Sequence, residues 1–195
     1  MKRFFLFCLF VIGTSSVHAE VIIMPKWTTV EWSSRNFSFG NHDIVFEKSS
    51  STILGVEAGA WFSNNFGVTG EFIFLDYDIA SNNNRTNSLE YTNGYANVYH
   101  YNAYAKYFLP LSDKFLTYAG LGLGRVNVSV HSDPNPTMSG YSKIANIGFI
   151  YRFNSVIGLA ADFKSAYMDI KDETATLYRL KTHYNTYQLG VSITF

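Results

Sequence analysis

Six charged side chains, Glu57, Glu71, Lys106, Arg152, Asp162 and Lys164, fall inside stretches where apolar and polar residues alternate, and each belongs to the polar phase. Three are acids and three are bases, so gathered on one side of a sheet their charges cancel. Buried charge is tolerated when paired, because an unpaired one is strongly destabilising. The pattern therefore predicts a single interior hydrogen-bonded ion network rather than a reactive centre. Glu57 precedes Asn64, and Glu71 follows Asn65, by nearly equal intervals, which makes the two carboxylates cross-strand neighbours if the asparagines form a turn. Lys106, on the next strand, is the nearest candidate to separate them. Arg125 is the exception in the apolar phase; it sits towards a loop, where a long side chain can reach an interface.

Catalytic sets are harder to find. A nucleophile needs a base within hydrogen-bonding reach and a third group to orient that base. His131-Ser132-Asp133 lies in a stretch broken by Pro134 and Pro136, and Ser112-Asp113 lies in a short turn; neither spacing predicts that geometry. The single cysteine is Cys8, near the N-terminus. His42, His100, His131 and His183 form no His-x-x-x-His or His-x-Glu pairing, so no metal ligand set is expected. His100 reads as a hydrogen-bonded interior residue, and the other three as solvated residues near loops. There is no phosphate-binding loop, dinucleotide fingerprint or heptad repeat, and no basic run that would mark nucleic-acid binding. No cofactor is expected.

The elements that must position the charges are strands. The last nine residues show the pattern most clearly: Tyr187, Leu189, Val191, Ile193 and Phe195 alternate with Gln188, Gly190, Ser192 and Thr194. Equivalent alternations run through 53–62, 66–77, 95–108, 115–130, 141–153 and 156–170. A further strand is placed over 27–39, after a lead-in from Glu20 to Lys26 that Pro25 is expected to keep out of a ladder. Asn64-Asn65, Leu109 to Asp113 and Asn154-Ser155 are short turns. Gly40 to Ser51, Ala80 to Gly94, His131 to Gly140 and Lys171 to Thr182 are long polar loops. Eight strands result, joined alternately by long and short connections.

The N-terminus reads as a secretory signal over residues 1–19: Lys2 and Arg3, the apolar run Phe4 to Ile12, and Val17-His18-Ala19 as the cleavage site. The remainder, 20–195, reads as one domain. Aromatic residues make up 17% of the chain and charged residues 15%, against roughly 25% charged in soluble domains. A surface meeting lipid accommodates that balance; a surface meeting water does not. The opposite phase, rich in Gly, Ala, Ser, Asn and Thr, suits a narrow interior. In Tyr118-Ala119-Gly120-Leu121-Gly122-Leu123-Gly124 the large groups point one way and nothing points the other.

The terminal strand ending on Phe195 and the Gly-Leu-Gly-Leu-Gly strand resemble those of small eight-stranded bacterial outer-membrane barrels of the OmpA membrane-domain, OmpX and Ail type. The resemblance covers nearly all of 20–195 and specifies fold far better than activity. It implies an all-β, antiparallel, up-and-down transmembrane barrel with short periplasmic turns and longer extracellular loops. It also implies Phe195 as an assembly signal read by the barrel-assembly machinery, a monomer in the Gram-negative outer membrane, and outer-membrane lipids with lipopolysaccharide as neighbours. Its expected role is structural or surface-interactive: envelope integrity, adhesion to a host-surface ligand, or resistance to host defences. The alternatives are a narrow pore, a lipid A-modifying enzyme and a soluble periplasmic barrel. The lipid A deacylase spacing His-x-Ser-Asn does not occur, and enzymatic activity is not expected.

Overall fold

A computed structural model describes residues 19–32, 36–39, 42–46, 53–62, 65–83, 88–131, 137–172 and 179–195. The expected leader, apart from Ala19, lies outside these residues. They form ten strands: β1 (Ala19–Trp32), β2 (Asn36–Phe39), β3 (His42–Phe46), β4 (Ile53–Phe62), β5 (Phe66–Asn83), β6 (Ser88–Pro110), β7 (Phe115–His131), β8 (Thr137–Arg152), β9 (Ile157–Asp172) and β10 (Arg179–Thr194). Every pairing is antiparallel. The order β5-β4-β1-β10-β9-β8-β7-β6 closes through a β5–β6 pairing, giving an eight-stranded barrel; the β2–β3 hairpin extends the sheet by pairing with β5 at Ile79–Asn83.

Alternation sorts the side chains between two solvents. Leu121 is 72% exposed and Leu123 68%, while Val68, Ile147, Leu189 and the rest of the apolar phase also face outward. The opposite phase is buried. No helix among the described residues is long and apolar enough to cross a membrane. Outward aromatic rings gather in two belts. Phe66–Tyr107, Phe115–Phe149 and Tyr151–Phe153 pack towards the short-turn rim, with ring centroids 5.2, 5.6 and 5.5 Å apart, and Phe72–Tyr101 and Phe74–Tyr99 lie higher, at 5.3 and 5.2 Å.

The short turns are built from local chemistry. Asn65 takes a left-handed φ of 67°, and its N–H donates to the Phe62 carbonyl at 3.0 Å. Asn154 Oδ1 accepts from the Val156 and Ile157 N–H groups at 2.9 and 2.7 Å, fixing the β8–β9 turn. Phe195 is exposed, yet its backbone exchanges hydrogen bonds with Val21 at 2.9 and 3.2 Å, so the chain's end helps seal β10 to β1.

Two expectations are corrected. The segment Glu20 to Lys26 is not a lead-in: it is the first half of β1, paired with β4 from Ala19↔Phe62 through Thr28↔Ile53. Pro25 is absorbed because the β1–β10 ladder lapses at Met24 and Pro25, where no proline N–H exists, and resumes at Lys26↔Gly190. The expected strand over 27–39 is accordingly β1 plus the separate β2. The four loops are also shorter than expected. β5 reaches Asn83, β6 begins at Ser88, β8 at Thr137 and β10 at Arg179. Strand that emerges from a bilayer has no apolar outward face to mark it, so composition alone reads it as loop.

Candidate functional site

The interior is filled in three layers. Near the short-turn rim Ile22, Met24, Phe108, Leu116, Tyr118, Ile150 and Ala160 pack together, with Trp61 stacked on Phe108 at 5.2 Å. Towards the opposite end lies a larger apolar cluster that includes Ile73, Leu75, Val98, Tyr104, Val126, Ile144, Met168 and Tyr184. Between them are the charges.

Glu57 and Glu71 face each other across β4 and β5 as direct register partners. Lys26 Nζ donates to Glu57 Oε2 at 2.6 Å and also to Asp162. Lys106 donates to Glu57 Oε1. Lys164 donates to Glu71 and lies 3.5 Å from Glu57, so it is Lys164, more than Lys106, that separates the two carboxylates. Tyr104 and Asn102 donate to Glu71 Oε2 at 2.6 and 3.0 Å, Gln188 donates to its Oε1 at 2.9 Å, and Tyr118 donates to Asp162. The lysines also lie over aromatic faces: Lys106 Nζ is 4.3 Å from the Tyr118 centroid and Lys164 Nζ is 4.7 Å from that of Tyr104. Three acids meet three lysines with side-chain exposures of 0–2%.

Five of the six charges singled out from the sequence therefore sit together: Glu57, Glu71, Lys106, Asp162 and Lys164. Arg152 does not join them. It lies at the short-turn rim, where its guanidinium donates to Glu20 Oε2 at 2.9 Å and covers the Trp61 ring at 5.0 Å. Its place is taken by Lys26, and neutrality is preserved by a different third base. No alternation marked Lys26, because Val21-Ile22-Ile23-Met24 is apolar on both faces: outward residues meet lipid while Ile22 and Met24 join the lower interior cluster. The signal available was Lys26 itself, a charge two residues beyond that run and in the phase of Thr28 and Val30. The Arg152–Glu20 pair is half-exposed, and Arg152→Ala is expected to change the unfolding free energy by about 0–1 kcal/mol, as read from urea unfolding in vesicles.

Large interior side chains lie over glycines on the neighbouring strand. Tyr104 covers Gly122, Tyr118 covers Gly148, and the Lys26 stem covers Gly190; a Cβ at any of these glycines would come within 2.7 Å of the covering residue. This is how a narrow lumen admits two tyrosines and three lysines at one level.

The remaining chemical candidates are structural or dispersed. Ser112 Oγ accepts from the Phe115 N–H at 3.1 Å, so the Ser112-Asp113 pair belongs to the β6–β7 turn. Ser132 and Asp133 lie outside the described residues; His131 stacks on Tyr95 at 4.5 Å. His100 is buried, with its Nδ1 3.3 Å from the Tyr184 hydroxyl. Among the described residues no group of three His, Cys, Asp or Glu is placed to hold a metal ion.

A closed antiparallel barrel, apolar outside, packed within, and joined by short turns at one rim, is an integral membrane β-barrel. The chain belongs to the family of the outer membrane protein beta-barrel domain, whose model matches residues 6–195. That family places it in the Gram-negative outer membrane. It is similar in fold to OprG of Pseudomonas aeruginosa, at 12% identity with a TM-score of 0.61, over 91% of this chain and 95% of that one. Neisserial surface protein A matches at 15% identity and a TM-score of 0.57, over 91% and 97%. Ail of Yersinia pestis, an attachment invasion locus protein crystallised with the heparin analogue sucrose octasulfate, matches at 15% and 0.52, over 93% and 100%. No curated protein matches in sequence.

Proposed function

We propose that this protein is a closed outer-membrane scaffold whose work is done by the segments it displays to the outside, in envelope integrity, adhesion or resistance to host defences. The observation that carries this reading is the sealed mid-barrel level, where six mutually paired charges and two apolar layers occupy the lumen. A packed interior leaves specificity to the outer surface. Strand ends rising above the outer belt, with the β2–β3 hairpin fastened to β5, support it as a firm platform for the long connections. The attachment role in Ail's name is consistent with such a platform. On this reading residues 1–19 are removed on export and Phe195 is the assembly signal.

The test has two arms. In planar bilayers the protein should give no steady single-channel openings. Exchanging the connections at 47–52, 84–87, 132–136 or 173–178, which spare the paired strand ends, for short Gly/Ser links should abolish binding of Gram-negative cells to host-cell or serum-protein surfaces while leaving the barrel folded. Steady conductance with loop-independent binding would overturn the proposal in favour of a pore.

A further inference from the structure

Strand β7 gives the lumen no side chain at three inward positions in succession, Gly120, Gly122 and Gly124. At the middle one the Tyr104 ring takes up the room, 2.4 Å from where a Cβ would stand. On either side of that ring the room is taken up by polar groups. In the register row Asn102↔Gly124↔Ser142, Asn102 Oδ1 and Ser142 Oγ come within 2.1 and 2.4 Å of the point that a Gly124 Cβ would occupy. In the row Lys106↔Gly120↔Asn146↔Lys164, Asn146 Oδ1 comes within 2.4 Å of the corresponding point over Gly120.

These groups are enclosed and unpaired. Asn102, Ser142 and Asn146 are 7%, 1% and 3% exposed. Among the described residues, Asn102 Oδ1, Ser142 Oγ and both polar atoms of the Asn146 amide have no hydrogen-bond partner. Buried polar atoms ordinarily have one, because an unpaired group bears its full desolvation penalty. Asn102 is also tied to the ion network: its Nδ2 donates to Glu71 Oε2 at 3.0 Å, which leaves its Oδ1 over Gly124.

We propose that the lumen binds water at two sites along this glycine column, one bridging Asn102 Oδ1 and Ser142 Oγ, the other held by the Asn146 amide. The two oxygens of the first site lie so near one point that a single water reaches both, donating to Asn102 and sharing a hydrogen bond with the Ser142 hydroxyl. Asn146 offers the second water a donor and an acceptor. The chemistry selects the occupant. It has to be small, since Tyr104 narrows the lumen between the sites, and able both to donate and to accept. It also has to be uncharged, since three acids already balance three lysines at this level. Water supplies the link that β7 cannot: it carries the chain from Glu71 through Asn102 across the glycines to β8. Ordered water between two apolar layers leaves the barrel closed to ions, so this inference is independent of what the outer segments bind.

The test joins a direct reading to a stability reading on the full barrel. In nanodiscs, water–protein nuclear Overhauser spectra should show long-lived water cross-peaks at the Gly124 Hα protons and at the Asn146 side-chain amide. Ser142→Ala and Asn146→Leu, each confirmed as folded by heat-modifiable gel mobility, should lower the folding equilibrium constant about two- to tenfold in urea titrations in vesicles, the loss of a hydrogen bond to water. A group bonded to nothing gives the opposite sign, because its removal relieves the burial of a bare polar atom. A folded wild type lacking either cross-peak, including one in which Ser142 bonds Asn102 directly, would overturn the assignment. So would either variant that matches or exceeds the wild type in stability.

Discussion

Replacing Glu57 by Gln should lower the unfolding free energy by about 3–5 kcal/mol, the cost of breaking a buried ion pair by removing one partner. Glu57 is the hub of the interior: it accepts from Lys26 and Lys106 and stands 3.5 Å from Lys164. Neutralising it leaves three buried lysines facing Glu71 and Asp162. The surplus stays buried, since Lys106 sits beneath Tyr118 and close to Tyr104, and apolar clusters lie towards both ends. Adding Lys106→Met to Glu57→Gln restores charge balance and should recover a large part of the loss. Equilibrium unfolding by urea in lipid vesicles reads both variants. A Glu57→Gln barrel as stable as the wild type would mean that the network contributes little.

The second large effect concerns closure. Gly190→Val should leave no folded barrel, judged by loss of the heat-modifiable band after refolding into vesicles. A Cβ at Gly190 would stand 2.2 Å from the Pro25 carbonyl oxygen and 2.7 Å from the Lys26 stem. Overpacking among side chains costs about 1–3 kcal/mol because they can shift; here the obstacle is backbone, at the seam where the last strand meets the first. The ladder there is already interrupted at Met24 and Pro25, so displacing Lys26 would widen an existing gap in the β1–β10 seam. Gly70→Ala is the matched control. Its nearest neighbours would be 3.9 and 4.0 Å away, and its folding yield should equal that of the wild type.

The sequence made the side-chain phase of seven strands readable, because wherever the interior is polar or small, lipid and lumen impose opposite residue types. Leu121 and Leu123 point outward between glycines, and Glu57, Glu71, Lys106, Asp162 and Lys164 point inward, as alternation requires. Where the interior is itself apolar the contrast vanishes. That concealed the first half of β1, and with it Lys26, behind a proline that the sheet tolerates at a gap in one ladder. Arg152 had the correct phase, but its position at the strand's end lets it turn to Glu20 at the rim. Phase tells which way a side chain leaves the backbone, and depth along the barrel decides what it meets. Strand ends beyond the bilayer were invisible for the opposite reason: where the outward residues are polar, as at Thr137, Ser139, Lys171 and Lys181, strand and polar loop have the same composition.

The central claim is that lipid surrounds the apolar phase and that the charges are enclosed. Nitroxide labels attached one at a time at Leu121, Ile147 and Leu189, in a chain with Cys8 replaced, measure it most directly in vesicles. Electron paramagnetic resonance should show each label relaxed by oxygen and shielded from a water-soluble nickel chelate, to a similar degree at all three sites. Labels relaxed by the chelate and shielded from oxygen would place those residues outside the hydrocarbon and contradict the account.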